Sequence, residues 1–275
     1  MPEEYIYTAS GIGLHRHQRQ VLCDVDIGIR CGELTGLIGP NSAGKSTLLD
    51  VLTGILIPDT GKIYLENLSL NDWSRVDLAK TVAYMPQQHL AHWPVTVYDY
   101  VSLGRIPQAK TGSANGQEDS HFINLAIDKT DVRHLSERPV TELSGGELSR
   151  VSLARTLAVN ARVIMVDEPI AGLDPGHQLS IMQVLRDEAR AGKAVVTVIH
   201  DLTMAGRFCD ALWLMHHGAM HCSGAPAEVL DEDTLSEVYQ VTSRVLQSSP
   251  REVIMPWDKI DCDHSVPARE AKPHD

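Results

Sequence analysis

The sequence predicts an α/β fold with a mixed sheet, an N-terminal antiparallel β part and a helical subdomain, on three observations. Gly39-Pro40-Asn41-Ser42-Ala43-Gly44-Lys45-Ser46-Thr47 fits G-x-x-x-x-G-K-S/T, the pattern of a phosphate-binding loop. It stands between the short apolar run Leu34-Thr35-Gly36-Leu37-Ile38 and a segment, Ser46 to Leu56, with helical apolar spacing. Val163-Ile164-Met165-Val166 is a continuous apolar run, and Ala194 to Ile199 is a second of the same buried type, as strands covered on both faces require. Val21 to Ile29 instead alternates with period two, the mark of a half-exposed antiparallel strand.

Taken in order, Tyr5-Ile6-Tyr7 and Val21 to Ile29 read as strands. The polar, basic stretch Gly13 to Gln20 between them reads as a solvated hairpin tip, or as a place where a planar side chain stacks on a nucleobase. After the phosphate loop and its helix, Pro58-Asp59-Thr60-Gly61 is a turn and Lys62 to Leu65 a strand. Asp72 to Lys80 reads as a short helix and Val82 to Met85 as a strand ending at Pro86-Gln87-Gln88. Residues 88 to 160 form the helical subdomain. Within it Trp93 to Val101 is aromatic, Ala109 to Ser120 is a loop, and His121 to Lys129 has helical spacing. His177 to Ala191 reads as a helix closed by Gly192, and Thr203 to Phe208 as a shorter one. Ala211 to Met215 and Ala219 to Cys222 read as a hairpin, and Ala225 to Tyr239 as helical. Residues 1–245 are expected to form one domain. Residues 246–275 form a partly disordered C-terminal extension, its polar end over 262 to 275.

Composition narrows the function classes. The chain has 275 residues, 43% of them hydrophobic and 22% charged, as in ordinary globular proteins. No apolar run approaches the roughly 18 residues of a membrane span. The acidic start, Met1-Pro2-Glu3-Glu4, lacks the order of a signal peptide, which points to a cytosolic chain. The five cysteines include no C-x-x-C pair and read as reduced thiols. Spacings around His217, His221 and Cys222, and around Cys262 and His264, match no metal-ligand pattern. With 24 basic against 36 acidic residues the net charge is −12, which argues against a nucleic-acid partner held through its phosphates.

The chemistry concentrates at strand ends, where an open parallel sheet presents its ligand edge. In the phosphate loop, backbone N–H groups and the helix dipole favour an anion. There Lys45 can reach the β- and γ-phosphates, and Ser46 can offer its hydroxyl to Mg²⁺. Asp167, after four apolar residues, suits a contact with the same ion. Glu168 can orient or deprotonate a water for attack on the γ-phosphate, and His200 can hold that water in line. Leu143-Ser144-Gly145-Gly146-Glu147 precedes a helix that Ser144 can cap, and so forms a second anion-binding helix start. Two such ends with one phosphate loop point to a head-to-tail pair, each chain's Ser144 end closing over its partner's nucleotide.

In these motifs and their order the chain resembles the ATP-binding subunits of ABC transporters over roughly residues 5 to 245. Gly39 to Thr47 matches the Walker A motif, Gln87 the Q-loop glutamine (with Gln88 adjacent), and Leu143 to Glu147 the signature. Val163 to Asp167 matches Walker B, Glu168 the catalytic glutamate, Leu173-Asp174 the D-loop and His200 the switch histidine. The sequence departs from the family in three places. Ser42 stands where glycine is usual, Leu148-Ser149 precede Arg150 where two polar residues are usual, and only His15, Arg16 and His17 stand where an aromatic ring usually takes the adenine.

The resemblance implies a P-loop NTPase ABC ATPase core using ATP and Mg²⁺, with Ser46, Gln87 and Asp167 toward the metal. It implies a homodimer seated on two transmembrane permease subunits at the cytoplasmic face of the cell membrane, served by a substrate-binding protein. Met85 to Gln88, His92 to Val97, Leu103-Gly104-Arg105 and Pro169 to Pro175 resemble the ATPases of iron–siderophore, haem and cobalamin importers. Manganese, zinc and export ATPases share most of these motifs. Soluble ABC ATPases of DNA repair or translation carry coiled coils, zinc modules or paired cassettes, none of which is visible here. Glu168 and His200 argue against a cassette that binds ATP without hydrolysing it.

Overall fold

The computed structural model describes residues 5–87, 93–109, 116–246 and 253–259. The chain begins with β1 (Tyr7–Arg16), β2 (Arg19–Ile29) and β3 (Leu34–Ile38), followed by α1 (Lys45–Leu52), β4 (Thr60–Leu65) and β5 (Leu68–Ser69). Next come α2 (Arg75–Thr81), β6 (Val82–Met85), α3 (Val97–Ser102), α4 (Gly116–Lys129) and α5 (Gly145–Ala158). β7 (Val163–Asp167), α6 (Pro175–Arg190), β8 (Ala194–Val198) and α7 (Leu202–Phe208) complete the central part. β9 (Ala211–His216), β10 (Ala219–Gly224), α8 (Pro226–Val229), α9 (Glu232–Tyr239), β11 (Val241–Leu246) and β12 (Val253–Lys259) follow.

The strands form a mixed sheet in the order β10-β9-β3-β8-β7-β6 and an antiparallel sheet in the order β2-β1-β4-β5. In the mixed sheet β6, β7, β8, β3 and β9 run parallel and only β10 is reversed. Every residue of β3, β7 and β8 is buried, which explains their unbroken apolar runs. Their two faces feed different cores. Leu37, Val163, Met165, Val196 and Val198 pack with α1 and the antiparallel sheet. Leu34, Ile38, Ile164, Val166 and Val195 pack with α3 to α7. Alternation of period two thus survives inside apolar runs and decides which layer each side chain joins.

The Leu103-Gly104-Arg105 stretch is explained by its packing on α5. A Cβ on Gly104 would lie 2.2 Å from the Arg155 carbonyl oxygen, so only glycine allows this approach. Arg105 is buried and donates from Nη1 to the carbonyl oxygens of Ala158 (2.9 Å) and Val159 (3.1 Å), and from Nε to Asp119 (2.8 Å). It therefore satisfies the open C-terminal carbonyls of α5.

Three expectations are corrected. Gly13 to Gln20 ends in an exposed hairpin tip, as expected, and its turn is tight. β1 and β2 stay paired through Arg16↔Arg19, and only His17 and Gln18 turn, both with positive φ (47° and 66°). The stretch 109 to 120 is helical from Gly116 onward. The helix expected over Ala225 to Tyr239 breaks at Leu230-Asp231, because the Asp231 side chain accepts the Thr234 N–H and starts α9 afresh. Past Ser243 the chain holds order that its pattern does not announce: β11 pairs antiparallel with β12, Val241↔Lys259 to Leu246↔Val253. Residues 262 to 275, with Cys262 and His264, lie outside the described residues, as does Gln88.

One buried charge joins α4, α6 and the approach to β8. Glu188, 3% exposed, accepts from Lys193 Nζ (2.7 Å) and from Lys129 Nζ. Burial alone pushes its carboxyl up, but the two ammoniums outweigh burial and hold it below its ordinary value of 4.5. A carboxylate held low stabilises the fold fully above pH 4.5 and loses that contribution as pH falls through the lowered value. Glu188→Gln is expected to cost about 1–3 kcal/mol at neutral pH. Urea unfolding at several pH values should show this deficit shrinking below pH 4.5.

Candidate functional site

The site is built where β3, β8 and β7 end side by side, with Leu37 opposite Val198 and Val198 opposite Asp167. β3 runs straight into the Gly39–Thr47 loop, and α1 begins at Lys45 with Gly44 as its cap residue. No side chain caps α1, so the N–H groups of its first turn stay available to an anion. The loop turns through positive φ at Gly39 (144°), Ser42 (67°) and Gly44 (99°). A Cβ on Gly39 would stand 2.2 Å from the Met215 carbonyl oxygen, and one on Gly44 2.9 Å from that of Val21. Lys45 is buried, and its Nζ donates to the carbonyl oxygens of Gly39 (2.8 Å) and Pro40 (2.9 Å). Burial pulls its ammonium down, and the negative charges of Glu168 and Asp167 oppose that pull.

Asp167, the last residue of β7, is 1% exposed, and its Oδ1 has no hydrogen-bond partner among the described residues. Burial pushes its carboxyl up; a hydrogen bond from Ser46 works against this, while Glu168 and Asp50 add to it. A buried, unpartnered carboxylate oxygen beside the Ser46 hydroxyl is an oxygen donor set that fits a hard divalent cation. Glu168, next along, sits at φ 52°, a backbone state uncommon for a residue other than glycine. Its Oε1 lies 2.6 Å from His200 Nε2, just past β8.

Ser144, Gly145, Gly146 and Glu147 form the start of α5. The Ser144 hydroxyl accepts the Glu147 N–H (3.3 Å), and Glu147 Oε2 accepts the Ser144 N–H (2.8 Å), a reciprocal cap. These hydrogen bonds hold the Glu147 carboxyl below its usual range. Leu143 packs against the helical core. Asp174 caps α6 by accepting the His177 N–H (3.1 Å), and the hydrogen bond from the His177 ring keeps its carboxyl low. A cleft of about 770 Å³ gathers Gln87, Glu168, Asp174 and the Ser144–Glu147 turn. The phosphate loop has its own cavity of about 300 Å³, lined by Asn41 to Thr47 and by none of Ser144 to Glu147.

His15 is tied down at both its main-chain N–H (2.7 Å) and ring Nδ1 (3.1 Å) by Asp59. His15, Arg16 and His17 are absent from the phosphate-loop cavity, whose sides are Arg19 to Val21 and His217-Gly218. Other contacts carry no local sequence signal. Ser149, buried in α5, donates to the Pro169 carbonyl oxygen (3.0 Å) and so ties the Ser144 helix to the turn after Glu168. Tyr239, from α9, receives a hydrogen bond from the Gly39 backbone.

The loop geometry makes two substitutions informative. Ser42→Gly is expected to relieve the positive φ and raise stability by about 1 kcal/mol. Gly39→Ala should lower it by several-fold more, since the clash is with a backbone oxygen. Thermal unfolding of the two variants measures both.

The comparisons agree with this geometry. The protein-family model described as ABC transporter matches residues 22–171. The hemin import ATP-binding protein HmuV of Rhodococcus jostii is 41% identical over 231 residues, 84% of this chain and 78% of the relative. HmuV of Pseudomonas aeruginosa is 38% identical over 83% of this chain and 90% of its own length. The cobalamin import ATP-binding protein BtuD of Halobacterium salinarum is 38% identical, and 58% of its length is matched. Among solved structures, cbiO1 from Clostridium perfringens, part of the ABC transporter complex cbiONQ, superposes with a TM-score of 0.73 at 29% identity. That match covers 86% of this chain and 94% of the other. A dimeric bacterial ABC transporter cassette matches with a TM-score of 0.73 at 26% identity over 80% of this chain and 98% of its own. With the phosphate loop, the Asp167–Glu168 strand end and the capped Ser144 turn all in place on this fold, the chain belongs to the ABC transporter family as one of its ATP-binding, ATP-hydrolysing cassettes.

Proposed function

We propose that this cassette powers an importer for a metal chelate of the haem, cobalamin or iron–siderophore kind. It would work as a head-to-tail homodimer on two transmembrane permease subunits at the cytoplasmic face of the cell membrane, with a substrate-binding protein delivering the cargo. The observation that carries the chemistry is the Glu168–His200 contact beside Lys45 and Asp167. Haem is favoured among the cargoes because relatives about 40% identical are hemin import proteins. No helix among the described residues is long and apolar enough to cross a membrane, so the passage itself would be made by other chains.

In this reading the backbone of Gly39 to Thr47 cradles the phosphates of ATP. Lys45 exchanges the Gly39 and Pro40 carbonyls for β- and γ-phosphate oxygens. Ser46, Asp167 and Gln87 would hold Mg²⁺, which when bound neutralises charge on the phosphates. Glu168 orients a water in line with the γ-phosphorus and takes its proton, while His200 steadies Glu168 and meets the γ-phosphate. The Leu143–Glu147 turn of the second protomer supplies the facing helix start, and Asp174 lies beside it in the same cleft. Hydrolysis removes the group that holds the protomers together, and their separation is passed to the permeases near Gln87. Most of the rate comes from positioning and charge stabilisation, as the loose transition state of phosphoryl transfer demands.

Glu168→Gln is expected to keep ATP affinity while lowering steady-state turnover about a hundredfold or more. Lys45→Ala should weaken ATP binding itself, about tenfold or more, in a titration. Cells expressing the chain with its own membrane partners should take up one of labelled haem, ferric siderophore or cobalamin, and lose that uptake with Glu168→Gln. Uptake of none of the three would reassign the cargo to another metal or to export.

A further inference from the structure

The phosphate-loop cavity is lined by Asn41 to Thr47, by Arg19 to Val21 at the start of β2, and by His217-Gly218, the two-residue turn between β9 and β10. A nucleotide whose phosphates occupy the loop meets these two neighbouring segments with its nucleoside. Among the described lining residues there is no phenylalanine, tyrosine or tryptophan. The planar side chains present are the Arg19 guanidinium and the His217 imidazole.

Both are presented by backbone that is locked to the loop. The Gly218 N–H donates to the Ala43 carbonyl oxygen (3.2 Å), inside the phosphate loop, and the Cys23 N–H donates to the Gly218 carbonyl oxygen (2.8 Å). A Cβ on Gly218 would lie 2.5 Å from the Val21 carbonyl oxygen, so this turn, β2 and the loop are packed to backbone contact. His217 and Gly218 both have positive φ (48° and 82°), the two-residue turn that fits hairpin twist. The His216 ring lies 3.9 Å from that of His217, centroid to centroid, at 36°. Arg19 is likewise the first residue after the tight His17-Gln18 turn, opposite Arg16.

We propose that the base of the bound nucleotide packs against the Arg19 guanidinium and the His217 imidazole, which take the place of an aromatic ring at positions 15 to 17. Guanidinium and imidazole faces both stack on a purine. The hairpin turn that contributes His217 thereby becomes part of the nucleotide site. The inference rests on nucleotide binding by this chain and is independent of the cargo.

The test is equilibrium binding by the full chain, with ATP and with inorganic tripolyphosphate as parallel probes in the presence of Mg²⁺. Arg19→Ala and His217→Asn (asparagine tolerates the positive φ) are each expected to weaken ATP binding about tenfold, the size of one stacking contact. Tripolyphosphate binding should be unchanged, and His217→Tyr should restore ATP affinity. An equal loss for both probes would overturn the proposal, because it would make these side chains phosphate contacts or supports of the loop. So would unchanged ATP affinity in both variants. A selective loss of ATP binding in His15→Ala, with the other variants intact, would overturn the proposal and move the base to residues 15 to 17.

Discussion

The phosphate loop can close only because Gly39 slides under the carbonyl oxygen of Met215, within a distance no side chain could share. That approach exists because β9 lies parallel to β3, with Ile38 opposite Leu214. Gly44 repeats the arrangement on its other flank, against Val21 at the start of β2. The loop is therefore wedged between the mixed sheet and the antiparallel sheet, and its shape is a property of both. Lys45, buried with its Nζ on the loop's own carbonyls, is held in place at little cost in unsatisfied donors.

The acid edge of the site depends on the same layering. Asp167 ends a strand buried on both faces, so its carboxylate enters a poorly solvated place where a cation is worth more than it would be in water. Glu168 leaves that strand through a left-handed residue, which turns its side chain toward His200 instead of letting the strand continue. Ser149 then joins the α5 helix to the carbonyl of Pro169, one residue beyond Glu168. Through this bond the capped Ser144 turn and the Glu168 turn share one rigid support, with Arg105 closing the far end of α5. A change at either turn has a short, hydrogen-bonded route to the other.

Much of the site was legible because its chemistry is local. The loop from Gly39 to Thr47 is written in consecutive residues, and so is the reciprocal cap of Ser144 and Glu147, three positions apart. The covered strands announced themselves by unbroken apolar runs, and their order of ends placed Asp167, Glu168 and His200 together. Elements were missed where the deciding contact is distant or the signal short. The polar stretch around His17-Gln18 reads as a hairpin tip, but the ladder that runs on to Arg16↔Arg19 has no period-two signal there. α8 and α9 look like one helix until Asp231 accepts the Thr234 N–H. β11 and β12 find order in each other and beside α9 and α7, a pairing that no alternation in either segment foretells.

By itself the sequence determined where the candidate chemistry lies: which loop offers N–H groups to an anion, which carboxylates end buried strands, and which serine caps the second helix start. Those properties follow from residue type, spacing and period, all of which act over a turn or a strand. Only the tertiary structure decided what surrounds the phosphate-loop cavity. It drew His15 away to Asp59, and it brought His217, 172 positions beyond Lys45 in number, to the rim of the Lys45 cavity. Such a neighbour is set by how β9 and β10 pack on β2, and close packing between sheets leaves no periodic trace in the chain that takes part in it.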